Sequence, residues 1–86
     1  MNKPSIEVTV KLFAIYQETY QQEEITIELP SNSKVEAVLE RIITDHPHLK
    51  DWRQVTKMAV NLEFVDSQYS LKSGDEVALI PPVSGG

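Results

Sequence analysis

Residues 25–46 read ITIELPSNSKVEAVLERIITDH, and they contain one strand pattern, one break and one helix pattern. Ile25, Ile27 and Leu29 alternate with polar residues, which is the period of a half-buried strand. Residues 30–33, PSNS, end that pattern. The apolar residues that follow have the spacing of a helix lying on a core, and they are Val35, Val38, Leu39, Ile42 and Ile43. A strand that leads into an amphipathic helix predicts an α+β fold.

The two ends of this helix also carry sequence signals. Ser33 and Glu36 have the spacing of a capping box, in which the Ser hydroxyl accepts from the Glu36 N–H and the Glu side chain reaches back. Pro47 disfavours helical geometry in the residue before it, so the helix is predicted to end near Asp45 or His46.

Outward from this segment, further strand patterns lie on both sides. Residues 6–12 alternate as a strand, and residues 14–24 are long enough to hold a helical turn. Residues 49–55 are irregular, residues 57–65 predict two short strands around Asn61, and residues 76–80 predict a last strand. We expect the first and last strands to lie side by side, which makes the fold a ubiquitin-like β-grasp: a mixed sheet with one main helix on one face. The predicted domain is 1–80, followed by a flexible tail, 81–86.

Composition limits the function classes. The 86 residues are 41% hydrophobic and 24% charged, as in one small globular domain, and the net charge is −5. That charge argues against binding to nucleic acid or to an anionic membrane, and it favours a partner with a basic patch. There is no Cys, which excludes disulfides, thiolate zinc sites and Cys nucleophiles. The longest apolar runs have four or five residues and no secretion signal is recognisable at the N-terminus, so we expect a cytoplasmic protein.

No ordinary active site is recognisable. His46 and His48 flank Pro47 without a third ligand, so we expect polar residues at a helix end and no metal site. Trp52 and Tyr69 are expected in the core or at its rim. No Ser has a His at a recognisable spacing, and no Gly-rich loop is suited to phosphate.

The segment 81–86, PPVSGG, is the remaining candidate. Pro81 and Pro82 cannot donate backbone hydrogen bonds and favour extended geometry, so they end the sheet and direct the chain outward. Six residues span about 20 Å, and Gly85 and Gly86 can pass through a channel too narrow for side chains. A free carboxylate at Gly86 is a poor electrophile, so a partner must activate it. On these features alone, an inert extension remains an alternative.

Residues 71–86, LKSGDEVALIPPVSGG, resemble the C-terminal signature of the small subunits of molybdopterin synthase, a family of ubiquitin-like sulfur carriers. Residues 10–14, VKLFA, resemble the first strand of that family, and Val60-Asn61 with Phe64-Val65 resemble its central hairpin. One departure is Gln17, which stands near the place where the family usually has an Arg.

The resemblance implies a two-stage reaction. An E1-like adenylyltransferase would use ATP and Mg²⁺ to convert the Gly86 carboxylate to an acyl-adenylate, and sulfur from a separate donor would displace AMP to leave a thiocarboxylate. The tail, Pro81, Pro82, Val83, Ser84 and Gly85 included, would then enter the large synthase subunit. There the thiocarboxylate would donate its sulfur to a cyclic pyranopterin monophosphate during molybdenum cofactor biosynthesis. The chain itself would bind no cofactor and would not be catalytic alone.

A docking surface is also expected. Phe13 has the opposite strand parity from Val10 and Leu12, and Ile80 opposes Leu79, so both should point away from the core. The positions that match Phe13, Ile80 and Phe64 meet the large subunit in the family. Incidental surface or edge-core positions are the alternative reading of Phe13 and Ile80.

Three other functions remain open from the sequence. The chain could be a sulfur carrier for thiamin or for tRNA thiolation, although the Pro-Pro before the tail favours the molybdopterin member. It could instead be a protein modifier that is conjugated to lysines through Gly86, or a plain interaction module with an inert tail.

Overall fold

The computed structural model of the protein describes residues 4–82. Five strands and two α-helices follow one another with one 3₁₀ helix between them. Their bounds are β1 Ser5–Leu12, α1 Ile15–Tyr20, β2 Glu24–Pro30, α2 Glu36–Asp45, the 3₁₀ helix Pro47–Trp52, β3 Lys57–Val60, β4 Glu63–Val65 and β5 Glu76–Ile80.

The strands form one mixed sheet in the order β2-β1-β5-β3-β4. β1 pairs parallel with β5, and the other neighbours pair antiparallel. The predicted adjacency of the first and last strands is therefore confirmed. β5 is the middle strand, so the chain leaves the sheet from its centre at Ile80.

The core lies between one face of this sheet and α2. Val10, Leu12 and Leu79 on the sheet and Val38 and Ile42 on the helix belong to one cluster of buried side chains. The predicted helical stripe is confirmed, and α2 ends at Asp45 as Pro47 requires. We call the face toward α2 the inner face and the opposite one the outer face.

The predicted capping box is wrong. The Ser33 hydroxyl donates to the Pro30 carbonyl at 2.6 Å, and the Glu36 N–H donates to the Ser67 carbonyl at 3.3 Å. The Val35 N–H donates to the Tyr69 carbonyl at 2.8 Å. Backbone carbonyls of a distant segment thus satisfy N–H groups at the start of α2, a partner that local spacing does not reveal.

Two boundaries also differ from expectation. β2 includes Pro30, where the pattern had suggested a break; β2 is an edge strand, and a Pro is tolerated at the end of an edge strand. The segment after α2 was expected to be irregular, yet it begins with the 3₁₀ helix, which starts at Pro47. The helical turn expected between β1 and β2 is confirmed as α1.

None of the helices within residues 4–82 combines the length and the apolar character that crossing a membrane requires.

Candidate functional site

Phe13 and Ile80 leave the core at the end of the two central strands. Phe13 directly follows β1 and is 46% exposed. Ile80 ends β5 and is half-buried, whereas Val77 and Leu79 on the opposite parity are fully buried. Both side chains thus have the orientation that strand parity predicted.

These two residues line one groove at the root of the tail. Its other lining residues are Ala14, Ile15, Glu18, Trp52, Pro81 and Pro82. We call it the tail-base groove. Pro81 is buried and Pro82 is exposed, so the groove lies where the chain departs from the sheet. Its lining is apolar apart from the Glu18 carboxylate.

The backbone at Ala14 allows Phe13 to lie there. Ala14 has φ 52° and ψ −122°, a conformation that residues with a side chain rarely adopt. It lets the chain turn from β1 into α1 within two residues, and the Glu18 N–H closes the turn by donating to the Ala14 carbonyl at 2.9 Å. The turn therefore carries Phe13 past the last strand residue and out of the core.

A buried hydrogen-bond chain holds Trp52 at the groove. The Thr56 hydroxyl donates to the Trp52 carbonyl at 2.7 Å and lies 2.6 Å from the Tyr16 hydroxyl. Because a Thr hydroxyl has one proton, Tyr16 is the donor to Thr56. A phenol is protonated at neutral pH, and burial raises the pKa of Tyr16 further above its ordinary value. Trp52 was expected at the core or its rim, and it is half-buried, packing on the core while it lines the groove.

Phe64 lies elsewhere on the outer face. It is 68% exposed, and on β4 it pairs with Ala59 of β3. It lines a separate depression with Lys57 and Ser67. The structure therefore brings Phe13 and Ile80 together and places Phe64 on the same sheet, apart from them.

A second depression adjoins Phe13 on the outer face. We call it the hairpin-side depression, and it is lined by Lys11, Leu12, Phe13, Gln17, Glu23, Leu62, Glu76 and Ala78. Sequence reasoning missed Leu62, which is 92% exposed in the turn between β3 and β4. A usable signal was present, because a Leu follows Asn61 where a two-residue hairpin turn favours Gly.

Charge on this face is mostly acidic. The Lys11 ammonium lies 2.5 Å from a Glu24 carboxylate oxygen and 4.0 Å from one of Glu76. The hydrogen bond and the negative charge of Glu24 raise the pKa of Lys11 above its usual value. Lys11 is thus occupied by acidic partners, and the depression presents excess negative charge.

Tail residues Val83, Ser84, Gly85 and Gly86 are outside the described residues.

His46 packs edge-on against Tyr20 with ring centroids 4.7 Å apart, and the His48 ring lies 6.1 Å from His46. Within residues 4–82, no group of three or more His, Cys, Asp or Glu side chains is arranged to hold a metal ion.

Sequence comparisons agree over nearly the whole chain. The family described as "ThiS family" matches residues 10–86. The chain is 40% identical to the "Molybdopterin synthase sulfur carrier subunit" of Chlamydomonas reinhardtii, covering 94% of this chain and 100% of that one. It is 38% identical to the protein of the same name from Homo sapiens, covering 96% and 98%.

Structural comparisons place it among small proteins of the same fold. A Pyrococcus furiosus protein described as "Putative molybdopterin converting factor, subunit 1" superposes with TM-score 0.78 and 31% identity, covering 91% of this chain and 99% of that one. A chain in the complex of subunits 1 and 2 of molybdopterin-converting factor from Helicobacter pylori gives TM-score 0.63 and 29% identity, covering 94% and 100%. The small archaeal modifier protein 1 of Methanosarcina acetivorans gives 0.73 and 26%, covering 96% and 99%.

Proposed function

The chain belongs to the ThiS family, and from its likeness to the molybdopterin synthase sulfur carrier subunits we propose that it is the sulfur carrier subunit of a molybdopterin synthase. Its Gly86 carboxylate carries the sulfur as a thiocarboxylate. The observation that carries the proposal is the position of β5: this central strand ends at Ile80 in the tail-base groove and points the chain into Pro81-Pro82. The folded domain thereby offers an apolar contact surface at the base of the segment that leads to Gly86.

The proposed chemistry activates the Gly86 carboxyl carbon once and then substitutes it twice. The Gly86 carboxylate first attacks ATP, so that pyrophosphate leaves and an acyl-adenylate forms. A sulfide-equivalent nucleophile then attacks the acyl carbon, and the bond to AMP breaks to leave the thiocarboxylate. On donation, the thiocarboxylate sulfur bonds to a carbon of the pterin substrate, and the oxygen that this carbon carried leaves. Water then cleaves the acyl carbon–sulfur bond, so the sulfur stays on the substrate and the Gly86 carboxylate returns. The chain contains no Cys, so the sulfur must come from outside it.

The large subunit is the proposed partner during donation. Support comes from the related Helicobacter pylori chain, which is found in a complex of subunits 1 and 2. We propose that Phe13 and Ile80 contact the large subunit at the tail-base groove and that Phe64 contacts it further along the outer face. Residues 81–85 would then lie inside the partner, with Gly86 at the substrate.

An E1-like adenylyltransferase is the proposed partner during activation. It supplies the ATP and Mg²⁺ chemistry together with a sulfur donor, and this chain binds no cofactor of its own. A cytoplasmic location would provide the ATP that this step consumes. The proposed function involves neither a nucleic acid nor a membrane, and the net charge of −5 agrees with this.

Intact mass spectrometry tests the proposal. After incubation with the adenylyltransferase, ATP and a sulfur donor, we expect a gain of about 16 Da as sulfur replaces oxygen; methionine oxidation gives nearly the same gain. The chain has Met1 and Met58, but cleavage after Lys72 releases residues 73–86, which contain no Met. The gain must therefore be found on that peptide.

The matched control is the same chain with one residue added after Gly86. It should fold normally and gain no mass on its C-terminal peptide, and the large subunit should form no product with it. Equal sulfur transfer by the extended and the unextended chain would contradict the proposal.

A second candidate function is protein modification through Gly86. It is favoured by the likeness to small archaeal modifier protein 1, whose name describes a modifier. This function would give covalent ladders on target lysines in the same incubation, in place of the gain on residues 73–86. The mass experiment therefore separates the two candidates.

A further inference from the structure

Leu62 occupies an unusual position for a large apolar side chain. It is 92% exposed, and it lies in the two-residue turn that joins β3 to β4. Burial in this fold therefore does not explain why the position is apolar.

The backbone conformation at this turn is also unfavourable for a Leu. Asn61 has φ 51° and Leu62 has φ 74°, so both residues are in the left-handed region. Asn tolerates that region, but the second position of such a turn favours Gly because a Cβ is strained there. The chain thus has a Leu where Gly would relieve strain and would remove an exposed apolar side chain. Strain combined with exposure indicates a use for the side chain.

Hydrogen bonds hold the turn in one position. The Asn61 N–H donates to the Glu76 carbonyl at 2.9 Å, and the Glu76 N–H donates to Asn61 Oδ1 at 3.0 Å. Asn61 Nδ2 donates to Asp75 Oδ1 at 3.0 Å, while Asp75 Oδ2 accepts from the Lys72 N–H at 2.8 Å. The start of β5 thereby holds the backbone of the turn that carries Leu62, so little backbone entropy remains to be lost when a partner contacts it.

The surroundings of Leu62 indicate what it contacts. It shares the hairpin-side depression with Phe13, which also lines the tail-base groove, so the two surfaces are continuous. Ala78 lines the same depression as a small residue, and Glu23 and Glu76 add two carboxylates to it. A surface that is complementary to this depression has an apolar pocket with Lys or Arg side chains around it.

We infer that Leu62 is an anchor residue for the large synthase subunit and inserts into an apolar pocket with a basic rim. The inference rests on the proposed function, since it extends the proposed docking surface from Phe13 to the β3–β4 turn. An exposed apolar side chain beside a contact centre adds affinity when a pocket of the partner removes it from water.

Leu62→Gly in the full chain tests this directly, because folding and binding should respond in opposite directions. Gly fits a positive φ better than Leu, so the thermal midpoint should stay equal or rise. Affinity for the purified large subunit, measured by titration calorimetry, should fall about tenfold. Leu62→Met, which keeps an apolar side chain, should keep the affinity within about twofold of the original.

The control is Val55→Ala, since Val55 is 50% exposed and lines neither depression. It should leave the affinity unchanged. Raising the salt concentration should slow association of the original chain and of Leu62→Gly by the same factor, because the carboxylates of the depression and not Leu62 supply the attraction.

Unchanged affinity in Leu62→Gly overturns the inference. If Phe13→Asp still weakens binding and Gly86 still gains sulfur, the proposed function stands without it. If the original chain does not bind the large subunit at all, both the inference and the proposed partner are wrong.

Discussion

Two neighbouring cross-strand rows of the sheet differ in the burial of their side chains, although they are one residue apart. The inner row is Leu12, Leu79, Met58 and Val65, and the outer row is Lys11, Ala78, Ala59 and Phe64. All four side chains of the inner row are buried in the core cluster or packed against it. The outer row ends in Phe64, which is 68% exposed.

The difference shows that apolar residues serve two purposes in one sheet. On the inner face they pack against α2 and supply stability. On the outer face Phe13, Leu62 and Phe64 are exposed to water, which an isolated domain does not need. Changes on the inner face should therefore affect unfolding, and changes on the outer face should affect binding.

The largest expected effect is on the inner face. Ile42 is fully buried, and Ile42→Ala should lower the free energy of unfolding by about 2–5 kcal/mol through lost burial and a residual cavity. Urea denaturation measures this loss. Affinity for the large subunit should not change under conditions in which the variant is folded.

Ile42→Val serves as the milder control if Ile42→Ala does not fold, with an expected loss of about 1 kcal/mol. If an Ile42 variant loses more binding to the large subunit than its unfolded fraction explains, the inner face also affects binding. The proposed division of roles between the two faces would then be wrong.

The next effect is on the outer face. Phe13→Asp should weaken binding to the large subunit by about 2 kcal/mol, roughly thirtyfold, since an unpaired carboxylate would be buried at the contact. Phe13 is 46% exposed, so the free energy of unfolding should fall by only about 1 kcal/mol, less than in Ile42→Ala. Titration calorimetry and urea denaturation measure the two quantities.

Phe13→Leu is the matched control and should keep most of the affinity, because it keeps an apolar side chain at the groove. If Phe13→Asp binds the large subunit as tightly as the unchanged chain does, Phe13 is not part of the docking surface.

The smallest effect concerns the hydrogen bond of Tyr16. Tyr16→Phe should lower the free energy of unfolding by about 1 kcal/mol, since Thr56 keeps its bond to the Trp52 carbonyl and no buried donor is left unpaired. Burial raises the folded-state pKa of Tyr16 above its unfolded value near 10. Its contribution is therefore complete below pH 10 and is lost as the pH rises through the folded-state pKa.

Tyr16→Phe should accordingly flatten the decline of stability above pH 10, measured by thermal denaturation across that range. An unchanged decline would show that other groups cause it.

Much of the fold could be predicted because it depends on local periodicity. The alternation in β1 and β2, the stripe on α2 and the stop at Pro47 are each visible within about ten residues. The capping box failed because the N–H groups at the start of α2 donate to Ser67 and Tyr69, which are about thirty residues away along the chain. A spacing rule cannot include partners that only the tertiary fold supplies.

The candidate site could likewise be predicted from the sequence only in part. The sequence by itself determined that Phe13 and Ile80 face away from the core, because strand parity depends only on the position along the chain. Only the tertiary structure decided that Trp52 joins them in the tail-base groove, that Phe64 lines a different depression, and that Leu62 lies beside Phe13. The physical reason is that these neighbours come from strands and turns far apart in the chain, so their distances are set by strand order and packing.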